Sequence, residues 1–191
     1  MNGTPNLDRP GIVRILCQNV NRSFAHVDIL LECNKDMFDI VFLQEPPWKR
    51  LCAAPSTRSR EGEDVVGAPN HPEWLVIVWP LEADDLPCVM AYMSKCLASY
   101  QPALRHDIVD HCDILLLSLF TGHEPMHLLN VYSDAQHTTI TWLSRNVARL
   151  LAVAYMAGNF NSHSAVWDEH VTWQYGDVNT LIEMAQLMGL K

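Results

Sequence analysis

Gly158-Asn159-Phe160-Asn161-Ser162-His163-Ser164 follows the apolar run 150–157. An apolar run that stops at a small, amide-rich turn reads as a strand whose end carries polar groups over a site. Asn159 and Asn161 bring amides to that turn. An amide keeps the outline of aspartate but lacks its charge and cannot take a proton.

Working outward, other apolar segments end in the same way. The first, 12–20, holds β-branched residues and ends in Gln18-Asn19-Val20-Asn21. Ser23 is an N-cap candidate for a helix carrying Phe24, Val27, Leu30 and Leu31 at helical spacing. A second strand, 39–43, stops at Gln44-Glu45-Pro46-Pro47-Trp48. Two prolines cannot continue a central strand, so Glu45 is expected at a strand end. Residues 49–72 are rich in Pro, Gly, Ser and Arg and are expected to form a long loop.

Strands are expected over 74–79, 89–93, 104–109, 113–120 and 126–131, the last ending at Tyr132-Ser133-Asp134. Asp84 and Asp85 are expected in a turn. A helix fits 138–150 with Ile140, Leu143, Val147 and Leu150 on one face. A final helix is expected from Asp177, with Val178, Leu181, Ile182 and Ala185 inward. Strands with interspersed helices predict an α+β protein layered around sheets.

The chain has 191 residues, 49% hydrophobic and 18% charged, consistent with one globular domain with a flexible stretch at 1–10. No apolar run approaches the roughly 20 residues that a bilayer requires. The N-terminus has no apolar leader, so an intracellular, non-secreted protein is expected, in the nucleus or the cytoplasm. The six cysteines include no C-x-x-C pair and several sit in apolar segments, so reduced core thiols are expected. Thirteen basic and 22 acidic residues leave a net charge of −9, which weighs against binding nucleic acid through a broad basic face. Lys49, Arg50, Arg58 and Arg60 form a local basic exception.

Asn19, Glu45, Tyr132 and Asn159-x-Asn161 thus fall at strand ends, and ends on one rim can converge into one site. The residue types suit phosphoester chemistry. A glutamate supplies a hard oxygen to magnesium. Amides and a phenol can hydrogen-bond phosphate oxygens.

In their order these residues resemble the endonuclease/exonuclease/phosphatase superfamily of DNase I-like nucleases. They are most similar to the endonuclease domain of non-LTR (LINE-like) retrotransposons. The motifs are Asn19-Val20-Asn21, Gln44-Glu45-Pro46, Asn130-Val131-Tyr132, and the opening heptapeptide followed by Trp167-Asp168. The resemblance spans about 13–190. It implies a four-layer α/β/β/α sandwich of two mixed sheets flanked by helices. It also implies a magnesium- or manganese-dependent phosphodiesterase that nicks DNA, with Glu45 and Asn19 at the metal. Tyr132 and Asn161 would contact the phosphate, Asn159 would occupy the water-orienting position, and Asn21, Ser162 and His163 would face the substrate.

Two departures stand out. The family has aspartate at position 159, and an asparagine cannot act as a base there. The family also continues through further strands to a Ser-Asp-His motif, whereas this sequence ends at Lys191. The expectation is a domain lacking its last strands, marginally stable or paired with another chain, with low or no activity. Asp110-His111 is the sole Asp-His pair, and it falls in the wrong order to replace that motif. The alternatives are a non-catalytic, nucleic-acid-binding or degenerate remnant and, against the Ser-His-Ser extension, a small-molecule phosphatase.

Overall fold

A computed structural model of the chain describes residues 12–54, 63–79, 86–120, 122, 124–150, 152–174 and 176–190. The stretch 1–10, Arg58, Arg60 and the Asp84-Asp85 turn lie outside the described residues. The order begins β1 (Ile15–Asn19), α1 (Phe24–Asn34), β2 (Ile40–Gln44), β3 (Lys49–Ala54), β4 (Glu63–Gly67), β5 (Trp74–Ile77) and β6 (Val89–Ser94). It continues β7 (Ala103–Leu104), β8 (Ile114–Phe120), β9 (Pro125–Tyr132), α2 (Thr138–Asn146), β10 (Val153–Asn159) and α3 (Val178–Leu187).

Two four-stranded sheets form, in the orders β1-β2-β6-β5 and β10-β9-β8-β7. Each has one parallel pair at one end: β1 with β2 and β10 with β9. The other pairings are antiparallel. Parallel neighbours need a crossover, and α1 and α2 supply the two. Ser23 starts α1 as expected, its hydroxyl accepting from His26 N at 3.3 Å. Asp134 fixes the start of α2, accepting from Thr138 N at 2.9 Å and Thr138 Oγ1 at 3.0 Å.

Strand alternation sorts the core into layers. Ile40 and Phe42 of β2 meet Leu115, Leu117 and Leu119 of β8 between the sheets. Val41 and Leu43 point the other way, onto Val27, Leu30 and Leu31 of α1. Ile114 and Leu116 of β8, with Leu129 and Val131 of β9, pack on Leu143 of α2 and on Leu181 and Met184 of α3. The result is helix, sheet, sheet, helix, an α+β sandwich as expected.

Several expectations need correction. The loop expected over 49–72 contains β3 and β4, an antiparallel pair with a register shift between Arg50 and Cys52. Lys, Arg, Ala and acidic residues there have little β propensity, so pairing across the hairpin decides the conformation. Of the strand expected over 104–109, only Leu104 pairs. The chain then turns back, with Val109 N donating to Arg105 O at 3.0 Å. The helix expected to reach Leu150 tightens into a 3-10 turn at Val147–Arg149. The buried face of α3 is Val178, Leu181 and Met184, and Ile182 is only half-buried. Cys17, Cys33, Cys88 and Cys96 are free thiols, yet Cys33 and Cys96 are exposed. Cys33 lies on the face of α1 away from Val27, Leu30 and Leu31.

Asn130 of β9 ties the two sheets together. Its buried amide donates to Leu43 O and Met90 O, both at 3.0 Å, and accepts from Gln44 Nε2. Truncation would leave these buried groups unpaired at about 1–3 kcal/mol each. Asn130→Ala is therefore expected to lower unfolding stability by about 3 kcal/mol in urea titration. A loss below about 1 kcal/mol would show that the sheets do not rely on this amide.

Candidate active site

A parallel pair places both strand ends side by side. The ends of β1 and β2 carry Asn19 and Glu45; those of β9 and β10 carry Tyr132 and Asn159. The register aligns Asn19 with Gln44 and Tyr132 with Asn159. Within each sheet the expected site residues are therefore neighbours because of topology, although 26 or more positions separate them in the chain.

In the first sheet, Asn19 Nδ2 donates to Glu45 Oε1 at 3.0 Å, and Asn19 Oδ1 accepts from Asn21 N at 2.9 Å. Glu45 has φ +48, a left-handed backbone rare outside glycine. The proline that follows restricts it further. Two hydrogen bonds hold it there: Glu45 N donates to Cys88 O and Arg22 N donates to Glu45 O, both at 2.8 Å. Pro46 and Pro47 are buried. Backbone strain of this kind costs on the order of 1–3 kcal/mol and concentrates at functional sites.

In the second sheet, Asn161 also has a left-handed backbone, φ +47, which asparagine tolerates. Its N–H donates to Asn159 Oδ1 at 3.1 Å, and its side-chain amide donates to Ser133 O at 2.5 Å. Burial raises the Tyr132 pKa, the negative charge of Glu45 raises it further, and the Asn161 side chain acts on the phenol to lower it. Tyr132 thus stays a protonated donor and links the Asn161 turn electrostatically to Glu45.

Gly158 explains how close β10 comes to β9. A Cβ there would lie 1.9 Å from Val131 O. A cleft of about 400 Å³ opens beside it, lined by residues 158–163, Trp167 and Leu181. A second cleft of about 270 Å³ is lined by Arg22, Phe24, Glu45, Pro46, Pro47, Trp48, Leu86, Pro87 and Cys88. Asn21 and His163 are exposed. Ser162 is buried, its hydroxyl donating to Phe160 O at 3.1 Å, while its carbonyl accepts from Trp167 Nε1 at 3.2 Å. The Ser-His-Ser stretch is thereby braced from within.

Asp113 and Cys88 also belong to this rim, although the sequence did not single them out. Asp113 O accepts from Tyr132 N at 3.0 Å, and Asp113 Oδ1 accepts from Cys88 N at 2.9 Å. The signal was available: β8 runs antiparallel to β9, so the start of β8 must lie beside the end of β9 at Tyr132.

No protein-family model matches the chain, and no curated protein matches it. Among solved structures it is similar to the endonuclease domain of TRAS1, a telomere-specific non-LTR retrotransposon. The TM-score is 0.63 at 14% sequence identity, covering 93% of this chain and 72% of that one. The two share one fold. This fold is the α/β/β/α sandwich already described, and the similarity extends over nearly the whole chain. Among the described residues, no helix is long and apolar enough to cross a membrane.

Burial and the adjacent Asp113 carboxylate push the Cys88 thiol up to about 12. An ordinary cysteine titrates near 8.5 and reacts as its thiolate. In mass-spectrometric mapping of iodoacetamide labelling at mildly alkaline pH, Cys88 is expected to react about a hundredfold more slowly than exposed Cys33 and Cys96. Equal labelling rates would contradict this placement of Cys88.

Proposed function

We propose that this chain is a phosphodiester hydrolase-like domain directed at DNA, dependent on a divalent metal and slowed by the asparagine at position 159. The observation that carries this reading is the convergence of the Asn19–Glu45 pair with the Tyr132–Asn161 pair, on a fold shared with a retrotransposon endonuclease domain.

Glu45 and Asn19 fit a hard cation. Magnesium, or manganese in its place, takes one or two carboxylates plus water and substrate oxygens, and the Asn19 contact holds one Glu45 oxygen in place. When bound, such an ion supplies positive charge against the phosphate oxygens. In this reading Tyr132 and Asn161 donate to those oxygens as charge develops on them. Asn21 and His163 flank the rim, and Ser162 supports the turn that carries His163.

Asn159 keeps its place in the turn because its Oδ1 accepts from Asn161 N, a bond an aspartate would make equally well. The negative charge and the capacity to take a proton are lost, and general-base catalysis is worth about 10²- to 10⁴-fold. With a net charge of −9, contact with the DNA backbone rests on this rim and its ion in place of a broad basic surface. A DNA substrate places the protein inside the cell, in the nucleus or the cytoplasm. The amide at 159 favours one rival reading, a domain that binds nucleic acid without cleaving it.

Nicking of supercoiled plasmid in magnesium is the direct test. The native chain is expected to nick slowly, and chelation or Glu45→Gln should stop it. Asn159→Asp is expected to raise the rate by about tenfold or more. Salt-dependent DNA binding with no nicking by either the native chain or Asn159→Asp would establish the binding-only reading. Rapid nicking that survives Glu45→Gln would remove Glu45 from the site.

A further inference from the structure

The turn leading into β8 gathers His111, Cys112 and Asp113. One ligand atom from each lies within 4.8 Å of the other two, and all three residues are half-buried. Ile114 N donates to His111 O at 3.1 Å, closing a β-turn that folds three successive residues around one point. Three consecutive ligands in one turn carry no paired-cysteine spacing.

The donor set is unlike the one at Glu45. Thiol, imidazole and carboxylate together suit a borderline cation such as zinc and suit magnesium poorly. His111 Nδ1 accepts a long hydrogen bond, 3.2 Å, from Asp113 N. An accepting Nδ1 is unprotonated, so a lone pair already points into the turn. A cation would exchange that weak bond for a ligand bond, leaving Nε2 as the protonated ring nitrogen. The surroundings orient the ligands: Trp142 packs edge-on against the His111 ring at 5.8 Å, and the Cys88 amide holds Asp113 Oδ1 at 2.9 Å.

We propose that His111, Cys112 and Asp113 form a zinc-class metal site at the edge of the rim, with ligands other than Glu45 and Asn19. Three protein ligands leave a coordination position for water or another donor. Binding requires the Cys112 thiol to lose its proton to solvent, so it releases a proton. The site is coupled mechanically to the rim. Asp113 O holds Tyr132 N, and Cys88 connects Asp113 to the backbone of Glu45. An ion here would stiffen the turn that positions Tyr132.

The test is zinc titration of chelator-treated full-length protein against a chromogenic zinc indicator, with cobalt as a spectroscopic probe. One zinc per chain is expected, and bound cobalt should show a thiolate-to-metal charge-transfer band. His111→Gln, Cys112→Ser and Asp113→Asn should each weaken zinc binding by about tenfold or more. The last keeps an oxygen able to accept from Cys88 N, so it preserves the local fold, and circular dichroism verifies folding for all three. Cys96→Ser and Glu45→Gln should bind zinc like the native chain. The proposal is overturned by absence of zinc binding, by binding unchanged in folded His111→Gln and Cys112→Ser, or by loss of zinc in Glu45→Gln. The last outcome would assign the ion to Glu45. Failure of DNA nicking leaves each of these readouts intact.

Discussion

The Asn130 amide is the contact on which the arrangement of the candidate site depends. Two sheets packed only through Leu, Ile and Val could slide by a side chain at modest cost, because dispersion has no direction. Asn130 removes that freedom. Its two N–H donors reach backbone carbonyls on neighbouring strands of the opposite sheet, and its oxygen takes the Gln44 amide. All of these groups are buried, so a shift in sheet register would leave several of them unsatisfied. Tyr132 lies two residues further along β9 and points to the same side, which sets its approach to Glu45.

The rim combines this fixed core with backbone held in left-handed conformations. Asn21, Arg22, Glu45 and Asn161 all have positive φ. Asparagine adopts that region readily; arginine, and glutamate before proline, do so less easily. Hydrogen bonds from neighbouring strand ends hold the arrangement, with Val20 N on Gln44 O and Ser133 N on Asn159 O repeating in the two sheets. Both parallel pairs therefore end in turns of similar construction. The donors at the rim are positioned before any ligand arrives, the condition under which polar groups stabilise developing charge most effectively.

Much of this was legible in the residues, for definite reasons. Apolar runs broken by Asn-x-Asn or Glu-Pro-Pro mark strand ends, and β1, β2 and β10 ended where those signals stood. Helix α1 was legible because Ser23 and the 27/30/31 spacing are both local. What escaped was non-local. Strands β3 and β4 have weak intrinsic preference and exist through pairing with each other. The inward face of α3 was set by the space above Leu129 and Val131, which selected Met184 over Ile182. Asp113 and Cys88 are ordinary residues in the sequence and join the rim only through antiparallel pairing, Asp113 by β8 with β9 and Cys88 by β6 with β2.

By itself, the sequence determined the three helices, the strand ends that carry polar groups, and the amide, unable to take a proton, at position 159. These follow from side-chain chemistry and short-range periodicity, which the chain carries wherever it folds. Tertiary structure alone decided that Asn19 meets Glu45 and that Tyr132 comes near Asn161. Those proximities arise from two parallel crossovers and one buried amide between sheets, and long-range pairing of this kind leaves no periodic trace in the residues that it joins.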